Sequence, residues 1–199
     1  CEALRLSLKL LKSYDKKVAQ KVREYENKSD EYEDILGSYL VKLSSCGLDE
    51  QDGYEITKLL HVIGDFERIS DHAVNIVISA EEIEDNKISF SEKEQKDLKV
   101  LSAAVNEIVG LVCECFGKNS VLIAEQVEPL EQVVDYLTEQ MKMQSVLRLQ
   151  KNESTIQHGF IVSYILNNLE RFSDHCSNIA GCIIEISGHG SLLLHQYLG

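Results

Sequence analysis

Four pairs of carboxylates, each set four residues apart, carry the most chemistry in this 199-residue chain: Glu26/Asp30, Glu67/Asp71, Glu131/Asp135 and Glu170/Asp174. On a helix, side chains at i and i+4 stack on one face, so each pair holds two negative charges about 5–6 Å apart, at a cost of roughly 0.2–0.5 kcal/mol in isolation. A cation between them removes that cost. Helix bundles assemble carboxylate metal sites when neighbouring rods each present such a face. Hard oxygen donors without interleaved thiols favour iron, manganese, magnesium or calcium over zinc. The competing reading is a solvated acidic face, which one pair alone would not displace. Four pairs at matching places carry more weight, and a bound metal stands beside the solvated face as the second reading of the spacing.

The residues beside the pairs fill out the picture. Asn75 and Asn178 continue two of the acidic faces by one more turn, where they are placed to hold a ligand through an outer hydrogen bond or to cap a neighbouring helix. Arg68 and Arg171 follow the glutamates and suit salt bridges to carboxylates of an adjoining helix. His72 and His175 sit about 100° round the helix from the preceding aspartate, which directs them to a neighbouring helix rather than to the same metal. Ser70-Asp71-His72 and Ser173-Asp174-His175 form no catalytic triad, because three consecutive helical residues point in three directions. Gly-rich phosphate loops and dinucleotide fingerprints are absent, so no enzymatic activity is expected.

These residues belong to an internal duplication. Phe66-Glu-Arg-Ile-Ser-Asp-His-Ala-Val-Asn-Ile76 returns as Leu169-Glu-Arg-Phe-Ser-Asp-His-Cys-Ser-Asn-Ile179, offset by 103 residues (170 − 67) without a gap. The upstream pair Glu26/Asp30 returns as Glu131/Asp135, offset by 105 (131 − 26). Such self-similarity sets the architecture before any local reading does.

Apolar periodicity supplies the elements that carry the pairs. Ile63, Phe66, Ile69, Ala73, Ile76, Val77 and Ala80 recur at helical spacing, as do Ile165, Leu169, Phe172, Cys176, Ile179, Ala180 and Ile183. A short first helix over Leu4, Leu8 and Leu11 precedes a second carrying Val18, Val22, Ile35, Leu36, Tyr39, Leu40 and Leu43, which stops at Gly47. Asp49 starts the third helix. A capping box at Ser91-Glu92-Lys93-Glu94 opens the fourth, striped with Leu101, Ala104, Val105, Ile108, Leu111, Val112 and Cys115. Gly117-Lys118-Asn119 turns the chain into a fifth, striped with Ile123, Val127, Leu130, Val134, Leu137 and Met141, in which Pro129 requires a kink or a separate first piece. Ser154-Thr155-Ile156-Gln157 reads as a second capping box, opening the sixth helix, which is expected to end near Gly188 and Gly190. The expected fold is all-α, a six-helix bundle of two three-helix repeats. The first repeat spans 1–84, a polar linker 85–90, the second repeat 91–188, and an apolar tail 189–199 is expected to dock on the bundle through Leu192–Leu194.

Composition narrows the function. A formal net charge of −13 disfavours nucleic acid and direct adsorption to anionic lipid, and favours cations and basic partner surfaces. No apolar run approaches the roughly 18 residues needed to cross a bilayer, and no signal peptide opens the chain. The six scattered cysteines, Cys1, Cys46, Cys113, Cys115, Cys176 and Cys182, read as free thiols in a reducing compartment. A start at Cys1 without an initiator methionine suits a domain excised from something longer.

The two signatures, together with the Glu26/Asp30 and Glu131/Asp135 pairs, resemble the PhoU domain family, whose duplicated motif is usually written E-R-I-G-D-H-x-x-N-I. Ser70 and Ser173 stand where that family commonly has glycine, and Phe172 replaces its isoleucine. Within the family, Tyr39-Leu-Val-Lys-Leu43, Leu59-Leu-His-Val-Ile63 and Gly159-Phe-Ile161 look most like the C-terminal domain of bacterial sodium/phosphate cotransporters. The resemblance implies a regulator of phosphate uptake at the cytoplasmic face of the cell membrane, partnered by a membrane transporter domain on the same or a separate chain, and able to form a homodimer. It implies a metal ion or cluster on the acidic motifs, iron first, with manganese, zinc, magnesium or calcium as alternatives. A free-standing regulator acting on a phosphate ABC transporter and a sensor kinase is the next reading. A ferritin-like metal store or metalloenzyme is the third; it wants Glu-x-x-His, and the residues three after Glu67 and Glu170 are serines.

Overall fold

Four of the helices begin where a short polar side chain caps them. The structure, a computed structural model, describes residues 2–47 and 49–197, with side chains as far as Gly188. Among these the elements are α1 (Glu2–Leu10), α2 (Lys16–Ser44), α3 (Glu50–Asp85), α4 (Glu92–Lys118), α5 (Val121–Ala124), α6 (Val127–Gln150) and α7 (Ile156–Tyr197). Asp15, Asp49 and Ser91 accept hydrogen bonds from first-turn backbone N–H groups, and Ser91 with Glu94 closes a reciprocal capping box. At α7 the box at Ser154 is displaced by one residue: Thr155 Oγ1 accepts from the His158 backbone N–H at 3.1 Å, while Ser154 turns to the His158 ring. Gly47 (φ 73°) and Asn119 (φ 47°) take the left-handed conformation after α2 and α4.

The six expected helices, the first of them short, are present with one addition. α5 is a single separate turn, so Pro129 falls in the first turn of α6, where its missing N–H has no intrahelical partner to lose. α7 does not end at Gly188–Gly190 but continues as helix to Tyr197. The side chains of Leu192–Leu194, expected to dock on the bundle, lie outside the described residues.

α3 and α7 form the central pair. Tyr54–Glu185, Asp65–His175 and His72–Asn168 contacts run in opposite order along the two helices, so they are antiparallel. α2 packs on α3 and α6 on α7, giving the two repeats their corresponding faces, while α1 and α4 close the outside. The core holds Leu4, Val22, Val62, Ile76, Val77, Leu101, Ile108, Ile165, Leu169, Phe172 and Ile179, all fully buried. Each contributes about 1.5–3 kcal/mol of apolar burial. α4 is long and apolar enough to qualify as a membrane span by composition, contrary to the sequence reading, but Leu101, Val105, Ile108 and Val112 pack into this core instead.

Two further expectations fail. Ile35 (63% exposed), Leu36 and Tyr39 (60%) are solvent-facing rather than core. α1 has nine residues against the 29 of α2, so at 1.5 Å per residue it can flank only about a third of its neighbour. Cys113 is disulfide-bonded, whereas Cys46, Cys115, Cys176 and Cys182 are free. Such a pairing is set by tertiary proximity, which scattered positions in a sequence do not reveal.

Candidate metal centre

Antiparallel packing of α2 on α3 brings Glu26 and Asp30 against Asp71. One carboxylate oxygen from each lies within 4.8 Å of the others. Oδ1 of Asp30 is buried and accepts no hydrogen bond; an unsatisfied acceptor of that kind costs about 1–3 kcal/mol. Burial, and then the neighbouring carboxylates, push Glu26 and Asp30 above the usual carboxylate range. Glu67 stands one turn before Asp71 and is pushed up to about 7, first by burial and then by Asp71. Like charges brought together in a partly dehydrated place favour protonation or a cation.

The second repeat repeats the arrangement. Glu131 and Asp135 of α6 meet Asp174 of α7, again with one oxygen from each within 4.8 Å of the others. Asp135 Oδ1 is the buried, unpartnered atom, in register with Asp30. Burial and then Asp135 push Glu131 up to about 7. Thr138, fully buried and on the i, i+4, i+7 face shared with Glu131 and Asp135, has a hydroxyl that also lacks a partner. Oxygen donors with one orphaned acceptor in each cluster fit a hard divalent cation better than they fit solvent.

The remaining expected site residues divide. Glu170 is taken by Lys142, whose Nζ lies 2.6 Å from Oε2. Arg171 reaches Asp174 at 3.3 Å within its own helix rather than a carboxylate of the adjoining one. Arg68 and Asn178 do not support the acidic clusters: both approach Asp65, at 3.9 Å and 3.5 Å. Asn75 accepts a hydrogen bond from Ser79 through its backbone carbonyl.

Asp65 explains these departures. It is 5% exposed, and a carboxylate so buried draws every nearby donor. His175 Nδ1 donates to it at 2.8 Å. By the repeat offset its counterpart is Asn168, 4% exposed, which accepts from His72 Nδ1 at 2.8 Å. Each signature histidine therefore reaches across to the other repeat's central helix, and the two rings stack at 5.5 Å. The sequence reading sent the histidines to a neighbouring helix but missed Asp65 and Asn168, although their 103-residue register was available. Lys142 was missed as well.

Outside the clusters, Ser154 Oγ lies 2.7 Å from His158 Nδ1, and His158 Nε2 lies 3.6 Å from Glu94. Glu94 is already bound by Arg148 and Ser91. A cavity of about 850 Å³ opens between α1, α4 and the end of α3, and one of about 360 Å³ beside Asp65 and Cys182; Ser154 lines neither. The contact ties the ends of α4, α6 and α7 together.

Comparison with known proteins agrees with this fold. The chain is 24% identical over 187 residues to the phosphate-specific transport system accessory protein PhoU homolog 1 of Thermotoga maritima, covering 93% of this chain and 79% of that protein. It superposes on the crystal structure of PhoU from Pseudomonas aeruginosa with a TM-score of 0.86 at 21% identity, over 94% of this chain and 90% of that one. The phosphate transport system regulatory protein PhoU from Streptococcus pneumoniae gives 0.81 at 17% identity, over 94% and 86%. At these identities the two structures establish the fold alone. The family model of the PhoU domain matches residues 1–80 and 98–183, which takes in both acidic clusters and both histidines, and the chain therefore belongs to the PhoU domain family.

Proposed function

We propose that this chain regulates phosphate uptake as a PhoU-type domain without enzymatic activity of its own, acting at the cytoplasmic face of a membrane transporter and holding a metal ion at each repeat. The related Thermotoga maritima protein is named for a phosphate-specific transport system and the Streptococcus pneumoniae protein for regulating one. The free-standing accessory reading therefore takes precedence over attachment to a sodium/phosphate cotransporter. The observation that supports a metal-dependent regulator is the matched pair of three-carboxylate clusters, each with a buried oxygen that accepts no hydrogen bond. Glu26, Asp30 and Asp71 would hold one ion, and Glu131, Asp135 and Asp174 the other. When bound, iron or another hard cation would neutralise the cluster and clamp α2 to α3 or α6 to α7.

The test is phosphate uptake in cells lacking the gene, complemented with the wild type or with Asp71→Ala/Asp174→Ala, alongside elemental analysis of protein purified without chelators. Restored control by the wild type, with loss of control and of metal in the double variant, is expected. Wild-type protein that carries no metal, or uptake indifferent to the gene, would overturn the reading.

A further inference from the structure

The two clusters are related by the repeat, but their countercharges are not. In the second, Lys142 Nζ lies 2.6 Å from Glu170 and Arg171 lies 3.3 Å from Asp174. The residue in register with Lys142 (142 − 105) is Gly37, which has no side chain to offer. The residue in register with Arg171 (171 − 103) is Arg68, which pairs with Asp65 at 3.9 Å and not with Asp71. Among the described residues, no lysine or arginine forms an ion pair with Glu26, Asp30, Glu67 or Asp71.

We propose that the two clusters are unequal cation sites: the first repeat takes the first divalent ion, and the second binds more weakly because Lys142 and Arg171 already supply positive charge to it. This inference rests on the metal reading above and adds a ranking to it. Coulomb energy falls only as the inverse of distance, so an ammonium held 2.6 Å from Glu170, one helical turn before Asp174, opposes a dication at the cluster even where solvent screens the pair. Lys142 and Glu170 side chains are each about one-third exposed (32% and 35%), so the screening is partial. The expected gap is at least about tenfold in dissociation constant, the scale of a single partly screened unit charge. Lys142 acts here as a resident cation that sets site preference, a role that an intact acidic signature does not disclose.

Titration of the metal-free full chain with Mn²⁺, followed by the electron paramagnetic resonance of the free ion, tests this. Two classes of site are expected. Asp71→Asn should remove the tight class and Asp174→Asn the weak one. Lys142→Met should strengthen the weak class about fivefold or more and leave the tight class unchanged. Gly37→Lys should weaken the tight class; a Cβ at Gly37 meets nothing within 4 Å, so the helix can accept it. Circular dichroism melts establish that each variant is folded, and the two lysine swaps lie on different helices, so one informs if the other does not fold. Equal affinities, loss of the tight class in Asp174→Asn, or a weak class indifferent to Lys142→Met would overturn the ranking while leaving the metal reading standing. Absence of Mn²⁺ binding at both clusters would overturn the two together.

Discussion

Without metal, Glu67 and Glu131 should take stability from the bundle as pH rises from 5 to 7.5, opposite in sign to ordinary acid denaturation and to the gain from His72, whose burial holds its ring below the usual imidazole range. Glu67 and Glu131 are pushed from about 4.5 up to about 7, first by burial and then by Asp71 and Asp135. Between those values the folded chain binds protons that the unfolded chain has released, so stability from these groups is full below pH 4.5 and is lost as pH climbs through 7. At 1.36 kcal/mol per pH unit the displacement of each glutamate is worth at most about 3 kcal/mol, and about half that once solvent screening is allowed. The pair together contributes about 3 kcal/mol, or about 6–12 °C in melting temperature for a chain of this length. Thermal melts in chelator at pH 5, 6, 7 and 7.5 read this directly. A saturating divalent cation should flatten the profile by replacing the lost protons, and Glu67→Gln/Glu131→Gln should flatten it without metal. A double variant whose slope over this range equals that of the chelated wild type would refute the reasoning.

Other substitutions test the frame that positions the clusters. Asp65→Ala should cost about 3 kcal/mol in urea unfolding, because it strands the His175 and Asn178 donors in a buried place; Asp65→Asn, which imitates Asn168, should cost about 1 kcal/mol. Arg148→Met leaves the buried Glu94 carboxylate without its guanidinium and should cost about 3 kcal/mol, seen as a lower urea midpoint at pH 7. Phe172→Ala, at a fully buried ring inside the second signature, should cost about 3–5 kcal/mol by the same assay. Ser91→Ala breaks the α4 capping box and should cost about 1 kcal/mol.

Much of the frame is written in local terms. Asp15, Asp49 and Ser91 cap helices because their side chains reach N–H groups two or three residues on, and Ile76, Phe172 and Ile179 are buried because a 3.6-residue period puts them on one stripe. The duplication, offset by 103 residues at the signatures and 105 at the upstream pairs, then fixes two like halves, so that whatever packing brings Glu26/Asp30 to Asp71 also brings Glu131/Asp135 to Asp174. Where local terms are weak the reading slips: Ile35, Leu36 and Tyr39 fit the helical period but find no neighbour, and the cap of α7 moves from Ser154 to Thr155 because both carry a hydroxyl.

By itself, the sequence determined an all-helical pair of repeats and the two sets of acidic residues in register. Only the tertiary structure decided that Lys142 binds Glu170 while Gly37 leaves the other cluster bare, that Arg68 and Asn178 serve Asp65, and that His72 and His175 cross between repeats. The reason is one of range. Spacing along the chain sets which side chains share a face of one helix, but the rotation and offset of two helices are settled by how their whole surfaces interlock, and a change of about one turn in that offset would give every carboxylate a different partner.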